Sequence, residues 1–226
     1  MDGILFIDKP TGWTSFDVVA KVRGLLRHSG ITKPKVGHSG TLDPLASGLL
    51  VLLIGSYTKQ ATTLTKLDKT YEVTARLGQT STTGDEEGDK TVTSTDKPST
   101  SQLHTVLTSF IGDSQQVPPA YSAIKIDGKR AYELARRGKT VQLAPRPIHI
   151  YELTLVSYEY PLVRFSVHVS SGTYIRSLVE DIGQKLGCGA YTSTLRRTQI
   201  GTFLLEQAIS PSQLSAESIY QHIVTT

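Results

Sequence analysis

The sequence predicts a mixed α/β protein of the α+β kind, built on an antiparallel-rich sheet flanked by helices. Two observations carry this expectation. Strand-like and helix-like segments are interleaved along 226 residues, yet several strands follow one another directly, which disfavours a doubly wound parallel sheet. The clearest strand, KTYEVTARLG, alternates Tyr71, Val73, Ala75 and Leu77, the period of two that marks a half-buried strand. Separately, neither G-x-G-x-x-G nor G-x-x-x-x-G-K-[ST] occurs, so dinucleotide and P-loop nucleotide binding lack their phosphate-cradling loops.

The elements can be justified in order. Thr14 or Ser15 can cap a helix in which Phe16, Val19, Val22, Leu25 and Leu26 recur at helical spacing, with Gly30 ending it. KPKVGHSGT reads as a loop. PLASGLLVLLIG starts as a helical turn and becomes apolar enough for a buried strand, and SYTKQATTLTKL reads as a short helix. After the alternating strand, residues 79–98 are polar and glycine-bearing, and are expected to form a mobile loop. TSQLHTVLTSF is a helix. The segment from Val117 starts extended, because Pro118 and Pro119 forbid helix. It turns at Asp127-Gly128 and ends in a short basic helix. IHIYELTLVSYEY and LVRFSVHVS are strands, GTYIRSLVEDIGQKLG is a helix closed by Gly187, and AYTSTLRRTQIG is a final strand. The 23 residues after Phe203 suit a turn and a short amphipathic helix, too little for a second domain. The chain is therefore expected to be one domain over 1–226.

Composition excludes several classes. Apolar residues make up 38% and charged residues 19%, as in a soluble globular protein. Cys188 is the only cysteine, which rules out disulfides and a cysteine-based zinc site and suits a reducing compartment. The amino terminus, MDGILFIDKPTGW, is no signal peptide. The longest apolar run, Leu49 to Ile54, is far short of the ~20 residues of a membrane helix, so a cytoplasmic location without membrane contact is expected. The six histidines show no pair at ligand spacing with a carboxylate, so no catalytic metal is expected. No G-x-S-x-G elbow occurs either.

Net charge is only +4, but its distribution is informative. From Lys21 to Lys35 there are five basic residues and no acid. From Lys125 to Arg146 there are seven against Asp127 and Glu133, while acids gather in GDEEGD at Gly84 to Asp89. Such segregation suits a phosphate backbone as partner, and it equally suits two solvated helix faces.

One carboxylate stands out. Asp43 sits in GHSGTLDPLASGL, residues 37–49. Asp followed by Pro44 is a good helix N-cap. The glycines at 37, 40 and 48 also clear side chains from around it, which suits close approach of another molecule. Local spacing leaves both readings open.

Five blocks in order, DKPTGWTS, GHSGTLDPLASGLL, KTYEVTARLGQTSTTGDEEG, VPPAYSAIKIDGKRAYELAR and SSGTYIRSLVEDIGQKLGCGAYTSTLRR, resemble those of the TruB-type tRNA pseudouridine synthases. The likeness runs from about Asp8 to Phe203. It implies that Asp43 is the essential aspartate that attacks a uridine at position 55 of the tRNA T-loop. Tyr71 would stack on the flipped base and take part in final proton removal. Arg176 would pair with the catalytic aspartate, Tyr174 belong to the pocket, and Leu195 form its apolar wall. His38 would fill the space vacated in the T-loop, and Lys9 with Pro10 would support the site. The resemblance further implies an isomerase without cofactor or metal, whose partner is the tRNA T-arm. The chain would act as a monomer with no obligate protein partner. The basic insertion over 120–147, with Lys125, Lys129 and Arg130, is the expected RNA clamp, mobile without RNA. Many relatives carry a further carboxy-terminal RNA-binding domain of the PUA type, for which this chain has no complete counterpart. The rival readings are a non-catalytic RNA-binding module on the same fold, or a pseudouridine synthase acting on another RNA.

Overall fold

A computed structural model describes residues 2–119, 121–122, 124–126, 128–138, 141 and 143–225. The chain divides into two compact units, Met1–Glu72 with Leu195–Thr226, and Val73–Thr194.

The first unit opens with β1 (Gly3–Lys9) and α1 (Ser15–His28), followed by β2 (Val36–His38) and β3 (Ser47–Ile54). A 3-10 turn (Gly55–Gln60) leads into the one-turn α2 (Ala61–Thr65) and then β4 (Lys69–Leu77), whose second half belongs to the other unit. β1 and β3 pair antiparallel from Gly3 opposite Ile54 to Lys9 opposite Gly48, and β2 pairs antiparallel with β3. β3 is buried on both faces, which explains a continuous SGLLVLLI run where a half-buried strand would alternate. One face of this layer carries Ile4, Phe6, Leu49, Val51, Leu53 and Ile200 as a core cluster.

Thr14, and not Ser15, is the α1 cap. Its hydroxyl accepts from the Asp17 N–H while the Asp17 carboxylate accepts from the Thr14 N–H, a complete capping box. The buried stripe of α1 is Ser15, Val18, Val19, Val22 and Leu26. Phe16, expected to start that stripe, is 66% exposed. Val18 takes the inner position, because the face a helix buries is chosen by what it packs against.

The second unit continues with β5 (Gln79–Ser81) and β6 (Lys90–Val92), α3 (Thr100–Thr108), β7 (Gly112–Gln116), the short β8 (Lys125–Ile126) and β9 (Lys129–Arg130), and α4 (Ala131–Arg136). Then come β10 (Arg146–Glu159), β11 (Leu162–Val169), α5 (Ile175–Lys185) and β12 (Ala190–Ile200), which returns the chain to the first unit before β13 (Phe203–Leu204). β7, β10 and β11 form an antiparallel meander. α3 and α5 pack together, with α3 against β10. In the first unit, β12 pairs parallel with β3 at Arg196–Ser47 and Arg197–Gly48. The sheet layers are thus mixed and mostly antiparallel, as the sequence predicted.

Several segments differ from expectation; KPKVGHSGT, read as a loop, carries β2, and Gly112–Gln116 adds β7. Residues 79–98 form the hairpin β5–β6 and its connection, tied down by Gly78 N–H to Gly189 C=O at 3.1 Å and Thr192 N–H to Gly84 C=O at 3.0 Å. After Phe203 the described residues form three 3-10 turns in place of an amphipathic helix. They return to β1, where Ile209 N–H donates to Phe6 C=O at 3.1 Å and Val224 N–H to Ile4 C=O at 2.9 Å.

Candidate active site

Asp43 is half-buried on the connection between β2 and β3. The helix that it could have capped does not form. Pro44 and Leu45 make a single turn closed by Ala46 N–H to Asp43 C=O at 3.1 Å, and β3 starts at Ser47.

What holds this loop comes from the amino-terminal block. The Ser15 hydroxyl, buried beneath the first turn of α1, accepts from Leu42 N–H at 2.8 Å and donates to Leu42 C=O at 3.1 Å. On the other side of Asp43, the Pro44 carbonyl accepts from Gly12 N–H at 2.8 Å and from the Lys9 ammonium at 3.5 Å. Lys9 Nζ also donates to the carbonyls of Trp13 at 2.6 Å and Pro10 at 2.9 Å. Both residues that flank Asp43 are therefore fixed to the β1–α1 junction.

The far end of the loop is held by β12. Arg197, 1% exposed, donates through Nε to Leu49 C=O at 2.8 Å and through Nη2 to Gly40 C=O at 3.1 Å. Gly48 permits this approach. It sits at φ +101°, and a Cβ there would meet the Arg197 carbonyl oxygen at 2.3 Å. Next to Arg197, Arg196 makes a two-pronged ion pair with Asp8, at 2.8 and 3.1 Å.

This surrounding is strongly cationic. Burial brings Lys9 down to a pKa of about 8, with Asp43 pulling it back up and Arg197 pushing it further down. Lys69 is likewise buried, donates to the Thr65 and Leu67 carbonyls, and falls to about 8 through burial and Arg197. His38, on β2, is held below its ordinary value by burial and then by Arg197, so it is neutral near pH 7. Its buried Nδ1 has no hydrogen-bond partner among the described residues. Tyr71, on β4, and Leu195, on β12, are each 7% exposed. The Thr74 and Thr194 hydroxyls meet at 2.8 Å on the opposite face of their strands, so alternation turns Tyr71 and Leu195 to the same buried face. Asp43, His38, Lys9, Tyr71 and Leu195 thus all belong to the first unit.

Arg176 and Tyr174 belong to the second unit. Arg176 lies in the first turn of α5 and is 5% exposed. Its guanidinium donates to Asp85 Oδ2 at 3.3 Å, Thr83 C=O at 2.9 Å and Tyr121 C=O at 2.7 Å. Asp85 in turn accepts from the Thr83 hydroxyl and the Glu87 N–H. Tyr174 is placed by the buried Gln116 amide, which donates to Tyr174 C=O at 3.0 Å and accepts from Tyr174 N–H at 2.8 Å. Lys129 is exposed on the β8–β9 hairpin. The side chains of Lys125 and Arg130, and all of Asp127, lie outside the described residues. Ser15, Asp85, Gln116 and Arg197 are supports the sequence reading missed. Ser15 and Asp85 stand within the family-like blocks, but as a cap candidate and as one acid of an acidic run.

Among the described residues no group of three histidine, cysteine or acidic side chains is placed to hold a metal ion, and no helix is long and apolar enough to cross a membrane.

Comparison with known proteins gives the class first. The model of the TruB family pseudouridylate synthase N-terminal domain matches residues 27–175, and that of the tRNA pseudouridylate synthase B C-terminal domain matches 176–223. These are pseudouridylate synthases. Proteins called tRNA pseudouridine synthase B from Pseudomonas fluorescens and Clostridium novyi are 46% and 45% identical over 96% and 100% of this chain, and over 69% and 76% of their own lengths. The chain belongs to the TruB family. Among solved structures, a chain of a Cbf5–Nop10–Gar1 complex is similar at 30% identity and a TM-score of 0.74 over 96% of this chain. A chain of an H/ACA RNP bound to a substrate RNA containing 2′-deoxyuridine gives 29% and 0.71, also over 96%. This chain spans about half the length of those solved chains, 54% and 53%.

Proposed function

We propose that this chain isomerises uridine to pseudouridine at position 55 in the T-loop of tRNA, with Asp43 as nucleophile toward a flipped-out base. The observation that carries the reading is the double tether of the Asp43 loop, at Leu42 by Ser15 and at Pro44 by Gly12 and Lys9. A helix cap has no need of such anchoring. A nucleophile does, since misplacement by about 1 Å costs about a hundredfold in rate.

The surroundings supply what the step needs. An aspartate closed off by a base loses solvation, which favours its neutral acid. The buried cation Lys9 on the Pro44 carbonyl opposes that. A uracil inside a folded loop must be extruded at a cost of a few kcal/mol, and stacking on Tyr71 returns about 1–3 kcal/mol. Leu195 walls the same face, and neutral His38 fills the vacated T-loop space without adding charge. Within the second unit, Asp85 holds Arg176 and Gln116 holds Tyr174. The product is an isomer of the substrate, so no redox partner or group donor enters the balance. The insertion over 120–147, with Lys125, Lys129 and Arg130, clamps the RNA backbone, and its phosphate contacts make affinity fall with salt.

The test is pseudouridine formation in a T-arm stem-loop RNA, with the wild-type chain and Asp43→Asn side by side. Product from the wild type, lost in the variant while RNA binding persists, is expected. Undiminished product from Asp43→Asn would remove Asp43 from the chemistry. Tight binding without product from either would favour an RNA-binding module.

A further inference from the structure

The outer face of α1 presents an aromatic side chain that the fold does not use. Phe16 is 66% exposed, the largest fractional exposure of any described aromatic side chain among the exposed large hydrophobics. Its position is fixed, because the Thr14–Asp17 capping box sets the first turn of the helix around it. It is also fixed relative to the candidate site. Phe16 follows Ser15, whose hydroxyl binds Leu42, and Leu42 precedes Asp43. Beside it, Trp13 is half-buried with the Lys21 ammonium 5.9 Å from its ring centre. Further along, the exposed positions turn cationic, with Arg27 on the helix and Lys33 and Lys35 beyond it, and no acid after Asp17 up to Lys35. An aromatic that adjoins the nucleophile loop, continued by a run of cations, is the pattern of a single-stranded nucleic-acid surface: a face on which a base stacks and charges that follow the backbone.

We infer that the Phe16 face of α1 is a stacking platform for an unpaired base of the substrate RNA next to the target nucleotide, with Lys21, Arg27, Lys33 and Lys35 along the adjoining phosphates. RNA, and not a protein, is the occupant argued for, because the cationic run matches a polyanion and Phe16 directly follows Ser15, which tethers Leu42 beside Asp43. The inference rests on the proposed function. It assigns that site a specificity contact beyond the groups that do the chemistry.

The experiment measures binding of the T-arm stem-loop to the Asp43→Asn chain, with and without Phe16→Ala, Phe16→Leu or Phe16→Trp. One lost base–aromatic stack corresponds to roughly 5- to 150-fold weaker binding. Phe16→Ala and Phe16→Leu are expected to weaken binding by that much, while Phe16→Trp restores it. Leucine separates stacking from plain apolar contact. Trp13 is the only tryptophan, so its emission in the chain with Phe16 intact is expected to change as RNA binds. Equal affinity for all four chains would overturn the platform while leaving the Asp43 test untouched. Binding restored by leucine as well as tryptophan would also overturn it. A change in sedimentation on Phe16→Ala with RNA affinity unchanged would overturn it in favour of a contact between two copies of the chain. Loss of wild-type product with binding intact would instead count against the proposed reaction alone.

Discussion

Ser15 offers a direct test of how the Asp43 loop is held. Its hydroxyl is buried, with 2% residue exposure, and is bonded to both backbone groups of Leu42. Ser15→Ala removes one oxygen and adds no bulk, so packing survives while a buried N–H and a buried C=O each lose this partner. At the usual net value per bond plus the desolvation left behind, the cost is about 2–3 kcal/mol. For a chain of this length that lowers Tm by about 5–10 °C. The larger effect is on rate. With Leu42 released, the loop loses its tether on one side of Asp43, and a shift of about 1 Å costs about a hundredfold. The assay is single-turnover pseudouridine formation at saturating T-arm RNA, below the melting transition, alongside thermal unfolding. Thr14→Ala is the control. It loses the α1 cap, at about 1 kcal/mol, but touches no Leu42 contact, so Tm falls while the single-turnover rate stays near wild type. The reasoning is refuted if Ser15→Ala melts lower yet turns over at the wild-type rate, or if Tm does not move.

Other expectations follow from the same contacts. Asp85→Ala removes the carboxylate 3.3 Å from the buried Arg176 guanidinium, one of its several acceptors, and should destabilise by about 2–3 kcal/mol; an unchanged urea midpoint would contradict the pair's importance. Gly48→Ala forces a left-handed backbone and a clash with the Arg197 carbonyl oxygen at 2.3 Å, so the variant should fail to accumulate as folded protein, measured as soluble yield and circular dichroism. Lys9 and Lys69 release a proton near pH 8 when folded, against 10.5 as their ordinary value. Between those values the unfolded chain holds more protons, so their contribution makes stability rise with pH from about 8 to 10. Denaturant titrations at steps across that range check this, and Lys69→Met should flatten the rise.

Strand β4 was legible because its period of two survives into the structure: Lys69, Tyr71, Val73, Ala75 and Leu77 are all buried. The α1 helix was legible, but its facing was not. Phe16 and Val18 are both apolar, and only the packed neighbours decide that Val18 goes in. Asp43 could be singled out by its glycines, and its block carried the family likeness. Its supports could not be read as such. Lys9 and Arg197 are fully buried cations, whereas charge in a sequence ordinarily means surface. Asp85 sat in an acidic run that reads as solvated, until the hairpin ties at Gly78 and Gly84 carry it inward. A hydroxyl that bonds a residue 27 positions away, as Ser15 does, leaves no local trace.

The parallel pairing of β12 with β3 also bears on how this chain can change over time. Leu195, Arg196 and Arg197 follow one another, and no two of them serve the same end. Leu195 is buried, Arg196 pairs with Asp8, and Arg197 holds Gly40 and Leu49. In a strand, inserting or deleting one residue swaps inward for outward along everything beyond it. A one-codon length change anywhere from Ala190 to Leu195 would therefore send Arg197 to solvent and turn Arg196 inward. Drift by substitution remains open to this segment, but drift in length does not. Length variation among descendants should collect instead in surface connections such as that between β5 and β6.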